Sequence, residues 1–360
     1  MKKIVKQVVG IDVAQKELVV CLARMFDDWT PELYAHKTFK NTSKGHLALV
    51  LWVKKFTEPT AEVRYVMEAT GVYHERLAYF LEEKGHLVSI VLPNKISNFF
   101  RTLDIKTITD KTASEAIALF GVERKLDNWE RPKPVYKKLR QLTRERDQVV
   151  KERTIVKNQL HAENAEAEPN RSSLKRLKQR VKLLNKQEAE IKKEISVMTK
   201  EEEETKKAVK LISTIPGVGE LTAATILAET NGFELIRNKR QLTGYAGLDV
   251  REKQSGTSVK GKPRISKRGN KYLRKALHMP ALSAIKNNER HKSLYARLVS
   301  KHGIKMKGAV AVQRKILELS YILVKNKQPY DPDYERKMEI QKKALKKVGD
   351  SHKELPLYTG

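Results

Sequence analysis

The chain has 360 residues, and its 73 Lys and Arg against 43 Asp and Glu give a formal net charge of +30 at pH 7. This excess points to a polyanion, foremost a nucleic acid, as the partner, although a ribosomal or membrane-surface partner could explain the same charge. Cys21 is the single cysteine, which excludes an intramolecular disulfide and a cysteine-based zinc site, and no segment approaches the roughly 20 apolar residues that span a bilayer.

Residues 1–130 alternate apolar runs with polar turns. Three runs rich in β-branched residues, VVGIDV, KELVVCLAR and ELYAHKTF, predict a meander of strands. Beyond them the pattern predicts helices in GHLALVLWVKKF, HERLAYFLEEKG, NKISNFFRTL and ASEAIALFGVER, with strands in VRYVMEA and HLVSIVLP. Three strands followed by alternating helix and strand indicate an α/β domain with a mixed sheet.

Residues 135–204 have the pattern of two long helices. The prolines of RPKPVYKK mark a boundary. Apolar residues then fall on heptad positions a and d in two frames separated by AENAEAEPNRSS: Leu139, Leu142, Val149, Val156 and Leu160, then Leu174, Leu177, Val181, Leu184, Ile191, Ile195 and Met198. They predict an antiparallel coiled-coil hairpin with arms of roughly 40 Å. Arg146 and Arg153 interrupt the apolar seam, which favours contact of this seam with another chain or with nucleic acid.

Residues 205–327 are predicted to form a mostly helical domain. In LISTIPGVGELTAATILAE, Gly217 and Gly219 allow a tight turn whose amides, with the start of the next helix, could bind a phosphate. This pattern resembles a helix-hairpin-helix element, which grips the DNA backbone without reading bases; an ordinary corner between helices is the alternative. Residues 328–360 are polar and basic, and we expect a loosely ordered tail.

Three acids of the first domain stand at the ends of predicted elements. Asp12 and Glu68 each end a strand, and Asp110 opens a helix. Ribonuclease-H-like nucleases bind divalent metal in a pocket that is formed by acids in this order. Oxygen ligands suit Mg²⁺, and two such ions about 4 Å apart would stabilise the entering and leaving oxygens at a phosphorus. Each acid alone could also be a turn former or, at Asp110, a helix cap.

Six blocks, in order, resemble a known family. They are GIDVAQKE, MEATGVYHERLAYFLEEKG, LPNKISNFFRTLDIKTITDK, IPGVGELTAATILAE, YAGLDVREKQSG and ISKRGNKYLRKAL. Over nearly the whole chain they are similar to the DEDD insertion-sequence transposases of the IS110 family. The resemblance implies a ribonuclease-H-like (RuvC-like) α/β domain, then a coiled coil, then a C-terminal transposase domain.

The resemblance also implies a function and partners. It implies a DNA transposase or recombinase that moves its own element, guided to element ends and target by a structured non-coding bridge RNA. Four acids would hold Mg²⁺ or Mn²⁺, and a serine of the C-terminal domain would bond covalently to DNA. Because no base lies beside that serine in sequence, we expect the site to form between distant domains, and the resemblance implies that these belong to different protomers of a homodimer, or of a homotetramer on nucleic acid. The expected location is the nucleoid in the cytoplasm of a bacterium or archaeon, without membrane contact.

Carried over by position, Asp12, Glu68 and Asp110 match the first three acids of the family. The fourth does not match, because Ala113 stands where the family usually places an Asp. Glu115 is the expected replacement, since a carboxylate one methylene longer can compensate for displacement. Ser114, one helical turn after Asp110, could instead hold a water beside the metal.

Ser255, in QSG, aligns with the nucleophilic serine of the family, and Ser258 is a second candidate. A serine hydroxyl must lose its proton, which the carboxylate pocket could take, and negative charge then gathers on phosphate oxygens. Gly256 would let the chain pass close to the DNA backbone. The nucleic-acid contacts expected are Gly217, Gly219, Lys260, Lys262, Arg264, Lys267, Arg268, Lys271 and Arg274. Without the resemblance, a serine in such a loop is more often a hydroxyl that contacts phosphate.

Two other functions stay open on the sequence alone. A junction-resolving nuclease would use the carboxylates with metal-activated water as the nucleophile, and Ser255 would only bind DNA. A non-catalytic nucleic-acid scaffold would follow if Ala113 marks a decayed site. Tyr73 and Tyr245 are not expected to be recombinase nucleophiles, because the Arg and His constellation of tyrosine recombinases is not visible.

Overall fold

The computed structural model describes residues 2–69, 71–103, 107–234, 236–252, 254–255, 259–261, 263–334 and 337. The chain divides into two compact units, Met1–Arg131 and Pro132–Gly360. Most of the predicted tail, from residue 335 except for 337, lies outside the described residues. None of the described helices combines the length and the apolar character needed to cross a membrane.

The first unit is a five-stranded sheet with helices packed on it. Its elements are β1 (Ile4–Val13), β2 (Glu17–Phe26), β3 (Pro31–Lys40), α1 (Ser43–Phe56), β4 (Val63–Glu68), α2 (Glu75–Glu83), β5 (Leu87–Val91), α3 (Pro93–Phe100) and α4 (Asp110–Glu123). The sheet order is β3-β2-β1-β4-β5, with β1 to β3 antiparallel and with β4 and β5 parallel to β1. The predicted α/β arrangement with a mixed sheet is confirmed.

Successive residues of the central strand β1 face two separate apolar cores. Ile11 packs in a core with Leu49 of α1, whereas Val8 packs in a second core with Ile117 of α4. Side chains two residues apart share a face of a strand. Asp12 therefore lies on the same face as Val8, which is the face that α4 covers.

Two glycines let α4 pack closely on this face. A Cβ at Gly10 would stand 2.4 Å from the amide nitrogen of Ala118, and a Cβ at Gly121 would stand 2.6 Å from Cγ1 of Val8. Because the later helix residue faces the earlier strand residue, α4 runs antiparallel to β1. The N-terminus of α4 therefore points toward the C-terminal end of β1.

The C-terminus of α4 is fixed by Lys6 of β1. Its Nζ donates hydrogen bonds to the carbonyls of Gly121 at 2.6 Å, Val122 at 3.1 Å and Arg124 at 2.6 Å. These bonds satisfy carbonyls that have no partner within the helix, and a cation there is favoured by the helix dipole. Lys6 thus holds α4 in register with the strand that carries Asp12.

The second unit is mostly helical, as expected. Its helices are α5 (Pro134–Asn164), α6 (Arg171–Glu201), α7 (Glu203–Ser213), α8 (Glu220–Thr230), α9 (Lys239–Ala246), α10 (Lys271–Ala276), α11 (His278–Asn287), α12 (Glu289–His302) and α13 (Lys305–Asn326). Two small antiparallel ribbons pair β6 (Val250–Arg251) with β9 (Arg264–Ile265), and β7 (Gln254–Ser255) with β8 (Val259–Lys260).

Helices α5 and α6 pack against each other through buried residues of the predicted heptads, among them Val156 and Ile191. Arg146 and Arg153 in the seam both bind the buried carboxylate of Glu188 on α6, Arg146 at 2.7 Å. Both arginines are therefore paired within the hairpin. Their position in the seam no longer requires a contact with another chain or with nucleic acid. Supercoiling of the two helices stays a prediction.

Candidate active site

Two of the predicted acids end neighbouring strands at one edge of the sheet. The parallel register of β1 and β4 pairs Ile11 with Met67, and Asp12 and Glu68 are the next residues on each strand. Asp110 is the first residue of α4, whose N-terminus is directed to this edge. The fold thus brings together three acids that are far apart in sequence.

The pKa of Asp12 reflects its burial and the charges of the two other acids. Burial, which is the largest cause, and the charges of Asp110 and Glu68 together raise the pKa of Asp12 from 3.8 to about 6, against a lowering hydrogen bond from the Val13 amide. Asp12 and Glu68 are half-buried and Asp110 is exposed. A cation at this edge would offset the repulsion that the raised pKa reports.

The donor set suits a hard divalent cation, because carboxylate oxygens are the ligands that such ions prefer. Within the described part of the chain, however, no three Asp, Glu, His or Cys side chains are grouped closely enough to hold an ion as they stand. Asp12, Glu68 and Asp110 therefore share an edge without forming a closed coordination cluster.

The two candidates for a fourth ligand have other contacts. Ser114 is fully buried, and its hydroxyl donates to the carbonyl of Lys111 at 2.7 Å. Oε1 of Glu115 lies 2.9 Å from Nε2 of His36 on β3, on the far side of β2 from β1. Ser114 is thus enclosed in the packing of α4 and Glu115 is paired with β3, and the fourth ligand stays a prediction.

Ser255 lies in the second unit, at the end of β7. Its register partner is Val259 of β8, and the neighbouring pair is Gln254 with Lys260. Ser258, Gly256 and Lys262, which were singled out from the sequence, lie outside the described residues. Arg264 is exposed in β9.

The segment before α10 is a tightly built turn. Its residue Ser266 donates its hydroxyl hydrogen to Oδ1 of Asp249 at 2.5 Å. A Cβ at Gly269 would stand 2.5 Å from the amide nitrogen of Gly247, so only glycine fits against that backbone. Lys267, at a left-handed φ of 54°, is exposed, as is Arg268. The turn therefore displays two cations on a fixed backbone.

The remaining predicted cations differ in their exposure. Lys271 at the start of α10 is exposed, with its Nζ 5.3 Å from the ring centre of Tyr272. Arg274 is half-buried, and its guanidinium donates to the carbonyl of Ala246 at 2.8 Å. Lys271 is thus available to a ligand, whereas Arg274 has a structural contact.

Glu229 is a residue that the sequence reasoning missed. Its fully buried carboxylate accepts two hydrogen bonds from Arg144, at 2.7 and 2.8 Å, and one from the amide of Asn270 at 2.6 Å. Asn270 also accepts hydrogen bonds from the amides of Tyr272 and Leu273 at the start of α10. Glu229 therefore joins α5 and α8 to the turn that displays the basic residues. In the sequence, the only signal for this role was an acid inside the apolar run ILAET.

The two glycines of the predicted phosphate-binding turn have different surroundings. A Cβ at Gly217, where φ is 84°, would stand 2.6 Å from the carbonyl of Pro280, so this glycine is required by packing against α11. Gly219 precedes α8, has open space around it and makes no side-chain cap. The amides at the start of α8 are thus accessible, next to the acidic Glu220.

Two family models match the chain. A DEDD transposase family of IS110 elements, described as "Transposase", matches residues 9–163, and the "Transposase IS116/IS110/IS902 family" matches residues 209–296. Together the two matches span more than half of the chain. The first contains the three acids and the second contains Ser255 with the basic turn.

Curated relatives and solved structures are similar to this chain over different lengths. A pilin gene-inverting protein of Moraxella lacunata is 27% identical over 331 residues, covering 91% of this chain and 98% of that protein. The transposase of insertion sequence IS1111A of Coxiella burnetii is 33% identical over 125 residues, 33% of each chain. Thermus thermophilus RuvC in complex with a Holliday junction substrate is 12% identical, with a TM-score of 0.27, covering 34% of this chain and 99% of that chain.

Proposed function

The chain belongs to the IS110 family of transposases, and from this premise we propose that it cleaves and rejoins DNA through a covalent bond between Ser255 and a DNA phosphate. In this proposal Asp12, Glu68 and Asp110 hold Mg²⁺, and a structured RNA guides the enzyme to its DNA. The observation that supports this proposal best is geometric: Asp12 and Glu68 lie in register at the ends of two adjacent parallel strands, and Asp110 begins the helix whose N-terminus is directed to the same edge.

The carboxylates have a defined part in this reaction. A bound divalent cation would supply positive charge to the phosphate and favour loss of a proton from the attacking hydroxyl. Asp12 and Glu68 would bind it from two adjacent strand ends, and Asp110 from the start of α4. Glu115 would serve as the fourth ligand only after release from His36.

The second unit would supply the nucleophile and bind the DNA backbone. Attack by Oγ of Ser255 on the phosphorus forms a serine–DNA ester and breaks the bond from phosphorus to the 3′ or 5′ oxygen of the cut strand. Oγ loses its proton in this step, and the leaving oxygen takes up one proton to become a hydroxyl. Lys260, Arg264, Lys267, Arg268 and Lys271 would stabilise the phosphate oxygens. The open amides at the start of α8, after Gly219, would contact the backbone further along, as in a helix-hairpin-helix. The acids and the serine would meet in a homodimer or homotetramer.

A denaturing gel tests the covalent step. The full-length protein is incubated with Mg²⁺, its guide RNA and radiolabelled DNA of an element end, and then denatured in detergent. We expect a labelled band at the mass of protein plus DNA, which protease removes. The Ser255→Ala variant should lose this band, and Asp12→Asn should lose both the band and strand cleavage.

Each other outcome rejects part of the proposal. Cleavage without an adduct in the unchanged protein would support a nuclease in which water attacks, whereas an adduct in Ser255→Ala would assign the nucleophile elsewhere. Full cleavage by Asp12→Asn would show that the reaction does not need the carboxylates. As a matched control, Ser283→Ala changes a serine on α11 and should leave the adduct unchanged.

A further inference from the structure

Four exposed apolar side chains lie on the three loops that surround the carboxylate edge. Val72 and Tyr73 follow β4, Leu92 follows β5 and Ile108 precedes α4, with exposed fractions of 66%, 41%, 57% and 75%. Single exposed apolar residues are ordinary on protein surfaces. In the described part of the first unit, however, four of the nine large exposed apolar side chains are these four. We call them the apolar rim.

Leu92 and Ile108 are held close to two of the acids. The amide of Ala69, directly after Glu68, donates to the last carbonyl of β5 at 2.9 Å, so Leu92 lies beside the chain that leaves Glu68. Ile108 stands two residues before Asp110, and the helix start between them is fixed by a capping box. The backbone at Leu92 is thus next to Glu68, and the backbone at Ile108 is next to Asp110.

Tyr73 is tied to the end of β1 by Asn41. The side-chain amide of Asn41 donates to the carbonyls of Ala14 at 3.0 Å and of Tyr73 at 3.2 Å. Ala14 comes two residues after Asp12, so the loop with Tyr73 is anchored beside that acid. A Cβ at Gly71 would lie 3.9 Å from two carbons of the Tyr73 ring, so the ring lies on the Gly71 side of its own loop. Tyr73 is therefore an exposed aromatic residue on a loop that is anchored beside Asp12.

Exposed cations alternate with the apolar rim. Lys95 follows Leu92 in the first turn of α3, and Lys111 follows Ile108 at the start of α4. Apolar or aromatic groups interleaved with cations are the pattern that binds single strands, because bases stack on the former and phosphates contact the latter. A fully paired duplex hides its base faces, so it could use only the cations.

We propose that the apolar rim stacks on unpaired bases next to the phosphate that is cut, and that the preferred DNA is therefore locally unpaired at this position. The inference rests on the proposed function only in that the carboxylate edge is where the strand is cut. Tyr73 is the main platform, and Leu92 and Ile108 support the neighbouring base.

Binding to two matched DNA probes tests the inference. The full-length protein is titrated into a fluorescent duplex that is fully paired, and into the same duplex with a short central unpaired bubble. We expect the bubble to bind at least about fivefold more tightly, a ratio that corresponds to about 1 kcal/mol and is within what stacking of one base supplies. Tyr73→Ala should lose most of this ratio, and Tyr73→Phe should keep it because stacking needs the ring and not the hydroxyl.

Trp29→Ala is the matched control. Trp29 is an exposed aromatic residue in the turn between β2 and β3, at the end of the sheet opposite to the acids. Its removal should leave both affinities unchanged. A bubble ratio near one in the unchanged protein, or an unchanged ratio in Tyr73→Ala, would overturn the inference, as would a Tyr73→Ala variant that changes only the oligomeric state in sedimentation. A persistent Tyr73-dependent ratio without any serine adduct would reject the proposed function and leave this inference standing.

Discussion

At the residue scale, Asp12 shows how the fold sets the charge of the site. Its pKa is raised to about 6 from 3.8, first by burial and then by Asp110 and Glu68. The folded protein thus binds a proton at Asp12 more tightly than the unfolded chain does. Stability from this group is fully present below pH 3.8 and is lost as the pH rises through about 6.

This loss of stability with rising pH gives a prediction for the metal-free protein. In EDTA, the free energy of unfolding of the first unit should fall between pH 4 and pH 7 by on the order of 1 kcal/mol, allowing for solvent screening of a half-buried group. Asp12→Asn should flatten the decrease. Urea titrations followed by tryptophan fluorescence measure this unit selectively, because all three tryptophans, Trp29, Trp52 and Trp129, belong to it. A steeper decrease in the variant would contradict the assignment.

Gly10 allows a second residue-scale prediction. Gly10→Ala would place a methyl group 2.4 Å from the backbone of α4, so strand and helix must separate. We expect a loss of about 1–3 kcal/mol or more, measured as a lower midpoint of the tryptophan transition. Gly244→Ala is the opposite control: it adds a methyl group in open space within α9 and should stabilise that helix by up to about 1 kcal/mol, measured by circular dichroism.

At the element scale, the α5–α6 hairpin is organised around one buried acid. Burial would raise the pKa of Glu188, but hydrogen bonds from Lys192, Arg153 and Arg146 outweigh it and lower the pKa to about 2. Because the folded pKa is depressed, the stabilisation by Glu188 is present above its unfolded value of 4.5 and is lost as the pH falls toward about 2. Heptad spacing predicted the two helices, but it could not show that Glu188 on one neutralises two arginines on the other.

Removal of the Glu188 carboxylate alone should therefore lower the free energy of unfolding more than replacement of Glu188 together with both arginines. Glu188→Ala leaves two arginines in the seam without a carboxylate and should destabilise the second unit by about 3–5 kcal/mol. The triple variant Glu188→Leu, Arg146→Leu and Arg153→Leu should recover most of this loss. Thermal unfolding followed by circular dichroism measures both. Equal stability of Glu188→Ala and the unchanged protein would show that water hydrates both arginines in the variant and replaces the carboxylate.

At the scale of the whole molecule, charge predicts a strongly salt-dependent affinity for DNA. Each phosphate contact lowers the slope of log K against log salt by about 0.9. The variant in which Lys267, Arg268 and Lys271 are all alanine should reduce the magnitude of this slope by about 2–3. The double variant Lys54→Ala and Lys55→Ala removes exposed lysines of α1 and should change it little. Fluorescence anisotropy at several salt concentrations gives the slopes. Equal slopes in both variants would show that the basic turn does not contact DNA.

The sequence by itself determined the order of elements and the chemistry they carry. Strand alternation, heptads and turn residues act over short distances along the chain, so they predicted the mixed sheet, the two long helices and the acids at element ends. Ala113 already indicated that the fourth acid of the family is missing from its usual position. The family resemblance followed from the same local blocks.

Only the tertiary structure decided which residues meet. The register of β1 against β4, and the close approach of α4 at Gly10 and Gly121, bring Asp12, Glu68 and Asp110 to one edge. Packing also committed Glu115 to His36 and Glu229 to Arg144, contacts between residues 79 and 85 positions apart. Such contacts depend on how separate elements pack in space, and no local pattern encodes that distance.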